Sequence, residues 1–244
     1  MSRLTVIMPV YNEEPTVATA ISRLRSVPLD IDIVCVDDGS QDGTPAVLER
    51  LRRDGSIDVL ISHPTNRGKG AAIRSAIPHA CGDIVVIQDA DLEYDPRELP
   101  RLIEPIQDGR ADAVFGSRFL GGPHRVLYFW HRVGNGIVTI LSNMLTDLNL
   151  TDIETCYKAV RTDLLRTLPL TSERFGIEPE LTARLAQAGA RVYELPISYD
   201  GRTYAEGKKI NWQDGIAALW HILHFNLLPP KAQPLARPQP MPTR

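Results

Sequence analysis

Apolar runs alternate with helical-period segments through the first half of this chain. Leu4–Val10 is a β-branched apolar run, the mark of a strand covered on both faces. Pro15 opens a helix with Val17, Ile21 and Leu24 on one face. Ile31–Val36 predicts a second strand, Thr44-Pro45 starts a helix carrying Val47, Leu48 and Leu51, and Ile57–Ile61 predicts a third strand. A helix rich in Ala and Ile is expected over Lys69–Ala80, a strand over Asp83–Gln88, a helix over Pro96–Ile106 and a strand over Ala111–Phe115. The second half is less regular. It predicts an apolar helical stretch within 125–148, a helix over 173–189, a strand over Arg191–Ile197 and an apolar helix over Asn211–Leu228. From Pro229 the chain is Pro-rich without periodicity. The expected organisation is one domain over 1–228 and a disordered tail over 229–244.

Repeated βα units imply an α/β fold, a mostly parallel sheet with helices on both faces. Ligands in such sheets sit at the carboxyl ends of the strands, which directs attention to the residues just after 10, 36, 88 and 115. The 244 residues suffice for one large domain. A net charge of -3 gives no global field for nucleic acid, so any anion site must be built locally. Cys35, Cys81 and Cys156 lack the spacing of a zinc or redox pair, which fits a reduced, cytoplasmic setting. The longest uncharged stretch, between Arg132 and Asp147, falls short of the roughly 20 apolar residues that span a bilayer. The expectation is a chain that lies on a membrane without crossing it.

Polar clusters stand at four of the predicted strand ends. In Pro9-Val10-Tyr11-Asn12-Glu13-Glu14, Tyr11 can stack on a base and Glu13 can accept from a ribose or base edge. Acidic residues also favour helix N-termini for dipole reasons, and both readings stay open. Asp37-Asp38-Gly39-Ser40 pairs two carboxylates at a tight turn, and turn and capping needs alone account poorly for the pair. Asp89-Ala90-Asp91, with Glu93 beyond, follows a buried strand. In extended backbone these alternate residues face one way and converge on a point that suits a hard divalent cation. Gly116-Ser117-Arg118 offers a cation able to clamp a phosphate, and Arg132 sits inside an aromatic stretch where a cation needs a partner. Asn66-Arg67-Gly68-Lys69-Gly70 leads into a helix and suits an anion, although it lacks the Walker spacing and a basic turn would look the same.

These five clusters, in this order, resemble the inverting GT-A (Rossmann-like) glycosyltransferases of family 2. Within that family the chain is most similar to the dolichyl- or polyprenyl-phosphate mannose synthase and glucosyltransferase branch, over about residues 4–228. The resemblance implies nucleoside contacts from Pro9, Tyr11, Glu13 and Asp38, and donor contacts from Lys69, Asp89, Arg202 and Lys208. It implies Mg2+ or Mn2+ at Asp89 and Asp91 with Glu93 nearby, and acceptor-phosphate contacts from Arg118 and Arg132. Arg202, Lys208 and Lys209 look like the basic loop that closes over the diphosphate. The segment 152–158 holds acidic residues and Lys158, to which no base is assigned.

The resemblance further implies a nucleotide-sugar donor, GDP-mannose or UDP-glucose, and a polyprenyl or dolichyl phosphate acceptor. Asp91 would share in neutralising the departing diphosphate. A phosphate monoester, with its second pKa of about 6, is already anionic and needs no strong base. The aromatic and aliphatic residues of Val126–Trp130 and Ala217–Phe225 suit the membrane interface, at the cytoplasmic face or against a membrane-embedded partner protein; core packing between the two helices accounts for part of them. Competing readings are transfer to a soluble saccharide or protein, which needs a base carboxylate, a nucleotidyltransferase, and a non-catalytic nucleotide-binding module.

Overall fold

The computed structural model describes residues 3–121, 123–126, 128–203 and 212–228, with no side-chain description for 212–214. The predicted tail over 229–244 and the predicted donor contact Lys208 lie outside the described residues. Strands β1 (Leu4–Val10), β2 (Ile31–Asp37), β3 (Val59–Ser62), β4 (Ile84–Ile87), β5 (Ala113–Ser117), β6 (Lys158–Arg161) and β7 (Val192–Pro196) form one sheet in the order β3-β2-β1-β4-β6-β5-β7. β1, β2, β3 and β4 pair in parallel, as do β5 and β7. β6 runs antiparallel between β4 and β5. The helices are α1 (Val17–Arg25), α2 (Thr44–Arg53), α3 (Lys69–Ala76), α4 (Leu99–Gln107), α5 (Phe129–Thr146), α6 (Thr162–Thr167), α7 (Ile177–Gln187) and α8 (Trp212–Leu227).

The α/β reading and the predicted strands are observed, with shifted ends that have local causes. β3 starts at Val59 because the Asp58 carboxylate takes the Ile33 N–H at 2.7 Å and the Arg25 guanidinium, ahead of the ladder. β5 starts at Ala113 because Asp112 is committed to Arg191 through its backbone N–H at 2.9 Å and its side chain. The helix expected through Ala80 ends at Ala76 and tightens into a 3-10 turn over Ile77–His79, where Pro78 removes an N–H. β6 and α6 have no counterpart in the prediction. β6 is four residues long with Lys and Arg at its ends, too short and too charged to show as an apolar run.

The core is the sheet itself. Ile7, Val34, Val86 and Phe115 are fully enclosed between the two helical layers. α1 buries Val17, Ala20, Ile21 and Leu24, as its period predicts. α5 inverts that rule. It turns Val138, Thr139 and Ser142 inward and leaves Ile137, Ile140 and Met144 exposed. α5 and α8 pack on each other and both pack on α7.

Candidate active site

The chain order reverses between β1 and β4, and in such sheets the crevice at the reversal is where ligands sit. Glu13 follows β1 there, and Asp89, Asp91 and Glu93 follow β4. Arg202 ties them together. Its Nη2 lies 3.0 Å from Asp91 and 3.5 Å from Glu13, its Nε lies 3.5 Å from Glu93, and its backbone N–H donates to Glu93 at 2.8 Å. Lys69 does the same on the other flank. Its Nζ lies 2.9 Å from both Asp89 and Glu178, and that ammonium is held well above its usual range despite burial, by Asp89 and Glu178.

The predicted convergence of Asp89, Asp91 and Glu93 on one point is corrected by the backbone. β4 ends at Ile87, and Leu92 adopts φ 67°, so the pleat is broken between Asp91 and Glu93. The Glu93 carboxylate is engaged by the Tyr199 hydroxyl at 2.8 Å and by the Arg202 backbone N–H. Among the described residues no cluster of three His, Cys, Asp or Glu side chains is set to hold a metal. The donor chemistry of the remaining pair still suits a hard cation, since Mg2+ commonly takes one or two carboxylates and completes its shell from substrate phosphates. Burial, with the charges of Asp89 and Glu93 beside it, pushes the Asp91 carboxyl up to about 7, which is the imbalance an added cation relieves.

Asp38 is placed differently from its predicted nucleoside contact. Its carboxylate is 3% exposed and is filled by His63 Nδ1 at 2.7 Å and by the N–H groups of Arg67 at 3.0 Å and Gly68 at 2.6 Å. It is the clasp that fixes the Asn66–Gly70 loop. That loop is crossed closely by residues 172–174: a Cβ on Gly68, which has φ 97°, would sit 2.4 Å from the Glu173 carbonyl. Lys69 points inward to Asp89, where the sequence left an anion site at the helix end and a plain basic turn both open. Pro9 and Tyr11 stay half-buried at the rim of the β1 end, and Asn12, at φ 51°, accepts from the Gln41 N–H at 2.8 Å to lock the two turns together.

Arg118 is also corrected. The acceptor-facing cation of the prediction is locked to Asp152 in a two-pronged ion pair at 2.6 and 2.7 Å. Burial pushes the Asp152 carboxyl up, but the Arg118 charge and hydrogen bonds from Arg118 and Asn135 outweigh it and hold it below the usual range. The guanidinium lies over the rings of Phe119 and Tyr199 at 5.4 and 5.2 Å. Arg132 stacks on the same Phe119 ring, 3.8 Å from its centroid, and is exposed. A cleft of about 460 Å³, lined by Glu93, Tyr94, His124, Arg125 and Tyr199, opens beside Glu93 toward the segment that leads into α5.

Asp152, Glu154, Glu178 and Tyr199 belong to the site or its support and were not assigned from sequence. The antiparallel course of β6 explains the first two. The start of β6 lies at the same sheet edge as the ends of its neighbours, so 152–157 leads into the crevice. Glu178 sits in the first turn of α7, where an acidic residue has an ordinary dipole explanation that hides it. Burial and the neighbouring Glu178 charge push Glu154 up to about 7. Beneath both, Lys158 is 1% exposed, and its ammonium donates to the carbonyls of Ile153 at 2.7 Å and Thr155 at 2.5 Å.

The family model described as glycosyl transferase family 2 matches residues 5–168. An undecaprenyl-phosphate mannosyltransferase of Micrococcus luteus is 34% identical over 245 residues, which covers 92% of this chain and 99% of that one. A polyprenol monophosphomannose synthase of Mycolicibacterium smegmatis is 30% identical over 214 residues, 84% of this chain and 80% of that one. Among solved structures, glucosyl-3-phosphoglycerate synthase of Mycobacterium tuberculosis, in complex with Mn2+, uridine diphosphate and glucosyl-3-phosphoglycerate, aligns with a TM-score of 0.71 at 20% identity. That alignment covers 94% of this chain and 82% of that chain, and it shows the shared fold.

Proposed function

This chain belongs to glycosyl transferase family 2, and we propose that it moves one hexose from a nucleotide-sugar to the phosphate of a polyprenyl phosphate, with inversion at the anomeric carbon. The observation that carries the proposal is the crevice at the β1/β4 reversal, where Asp89 and Asp91 stand between two fixed cations, Lys69 and Arg202. That arrangement suits a diphosphate leaving group. The names of the two relatives support a polyprenyl phosphate as acceptor and mannose as the sugar, which puts GDP-mannose first among donors and UDP-glucose second.

Asp89 and Asp91 would hold Mg2+ or Mn2+, which when bound supplies Lewis-acid stabilisation of the departing diphosphate. Arg202 and Lys69 add fixed positive charge on either flank, pre-oriented by Glu93 and Glu178. Pro9, Tyr11 and Glu13, at the end of β1, border the space for the nucleoside. The acceptor phosphate approaches from the Arg132 side and is already largely anionic at neutral pH, its second pKa being about 6. The site therefore works by holding acceptor oxygen and anomeric carbon in line, with no protein base required.

No described helix is long and apolar enough to cross a membrane. A lipid acceptor then implies work at a membrane surface, proposed as the cytoplasmic face. The test is incubation with labelled GDP-mannose or UDP-glucose, with and without metal and polyprenyl phosphate, and counting of label extracted into organic solvent. Label that requires both metal and lipid phosphate supports the proposal. Label on water-soluble sugars without lipid would overturn the choice of acceptor.

A further inference from the structure

Lys69 is held in a pinched turn. It stands between Gly68 and Gly70, and the segment 172–174 lies across both. A Cβ on Gly68 would come within 2.4 Å of the Glu173 carbonyl oxygen, and one on Gly70 within 2.4 Å of the Ser172 carbonyl oxygen. Both distances are too short for any side chain, so the two glycines are what lets the segments touch. The Ala71 N–H, in the first turn of α3, donates to the Glu173 carbonyl at 2.9 Å. The turn is closed from this side, and the Lys69 side chain runs inward to Asp89 and Glu178, each 2.9 Å from its Nζ.

Residues 171–174 belong to neither a helix nor a strand, so their backbone groups need partners from elsewhere. Glu180, on α7, supplies them. Its side chain is fully buried, and its carboxylate accepts the Thr171 N–H at 2.9 Å, the Ser172 N–H at 2.7 Å and the Thr171 hydroxyl at 2.8 Å. A carboxylate can take several donors at once, whereas an amide offers one oxygen. Arg184, one turn further along α7, places its guanidinium 3.6 Å from the same carboxylate and lies over the Phe225 ring of α8 at 5.4 Å. A clamp that only tied a loop to its helix could act anywhere along the loop. This one grips immediately before the two carbonyls that meet Gly68 and Gly70. The same helix carries Glu178, so α7 fixes Lys69 at both ends, the ammonium through Glu178 and the backbone through Glu180.

We propose that Glu180 is a positioning residue for the donor: through residues 171–174 it sets the place of Lys69, and with it the grip of the crevice on a nucleoside diphosphate. The inference rests on the reading of Lys69 as a donor contact. With no exposed surface, Glu180 touches no ligand itself. The strength of diphosphate binding then depends on a side chain that no donor atom reaches, 111 positions beyond the lysine it serves, since 180 less 69 is 111.

The test is a double-mutant cycle read by calorimetric binding of GDP and of UDP, each with Mn2+ and without acceptor, on the full chain. Glu180→Gln should weaken diphosphate binding about tenfold. In a Lys69→Met background the same change should alter Kd less than about twofold, because the group it positions is gone. Its cost in melting temperature should be the same in both backgrounds, which separates positioning from stability. Thr171→Val removes one hydrogen bond and keeps the shape, so it serves if Glu180→Gln folds poorly; it should weaken binding about threefold, again only with Lys69 present. Asp112→Asn, which breaks the ion pair with Arg191 at the opposite edge of the sheet, should lower the melting temperature and leave Kd unchanged. Unchanged binding in both Glu180→Gln and Thr171→Val would overturn the inference. So would a weakening of equal size in both backgrounds, which is the mark of a general loosening. Diphosphate binding that Lys69→Met leaves intact would overturn the donor role of Lys69 itself, and this inference with it.

Discussion

Replacing Asp152 by Asn tests whether Arg118 is part of the framework or faces the acceptor. Asp152 has no exposed side-chain surface, Arg118 has 15%, and two charged hydrogen bonds at 2.6 and 2.7 Å join them. Asn keeps the shape of Asp but removes the charge and turns an N–H toward the guanidinium. A buried pair broken on one side costs about 3–5 kcal/mol, because the remaining charge is left uncompensated. At about 2–4 °C per kcal/mol for a chain of this size, the melting temperature should fall by about 6–20 °C. The rings of Phe119 and Tyr199 offset only part of this, at about 0.5–2 kcal/mol. The dependence on pH gives a second readout. The Asp152 carboxyl lies below its usual range in the folded protein, so its stabilisation is complete above its unfolded value of about 3.9 and fades as pH falls through the folded value. The stability curves of the two proteins should therefore converge in acid. Thermal unfolding followed by circular dichroism, with the acceptor KM measured on the same samples, decides the matter. A melting temperature within about 2 °C of the parent, joined to a raised acceptor KM, would refute the structural role and return Arg118 to the acceptor.

Three further outcomes are expected. Asp91→Asn should lower kcat about 100- to 1,000-fold with unchanged melting temperature, and chelation should abolish transfer until Mg2+ or Mn2+ is restored; normal turnover in either case removes the metal role. Gly68→Ala should destabilise by at least about 1–2 kcal/mol and raise the donor KM, because φ 97° is unfavourable for Ala and its Cβ meets the Glu173 carbonyl; an unchanged denaturation midpoint would show that the loop yields easily. Glu154, pushed up to about 7 when folded, holds a proton that the unfolded chain releases near pH 4.3, so stability falls as pH rises between those values. Glu154→Gln should flatten that slope, which unfolding at pH 5 and pH 8 measures; parallel curves for the two proteins would contradict it.

Much of the fold was legible because the parallel strands are buried on both faces. Leu4–Val10 and Ile84–Ile87 announce themselves as apolar runs followed by polar and acidic residues, Tyr11-Asn12-Glu13 and Gln88-Asp89. The location of the crevice followed from strand ends alone. What stayed hidden was the state of the charges. Asp38, Lys69 and Arg118 look like free ligand contacts in a string of letters. In the folded chain their partners come from 20 to 109 positions away, as with Lys69 and Asp89, Asp38 and His63, or Lys69 and Glu178. β6 escaped because Lys158 breaks its apolar character, and nothing local reveals that two backbone carbonyls will receive that ammonium. α5 was legible as a helix, but its period could not say which face turns inward.

The reversed strand β6 also sets the order in which this protein is finished. β1 to β4 can pair as they leave the ribosome, each against a neighbour already made. β5 cannot. Among the described residues its partners are β6 and β7, both synthesised later, and Val114 and Phe115 stay unpaired until residues 158–161 arrive between β4 and β5. During that interval the nascent chain carries open strand edges on β4 and β5, the state in which chains associate wrongly. A chain that lost β6 would strand β5 and β7 as a two-stranded ribbon, which water does not sustain. The short, charged strand that is hardest to see in the sequence is therefore the one that closes the sheet.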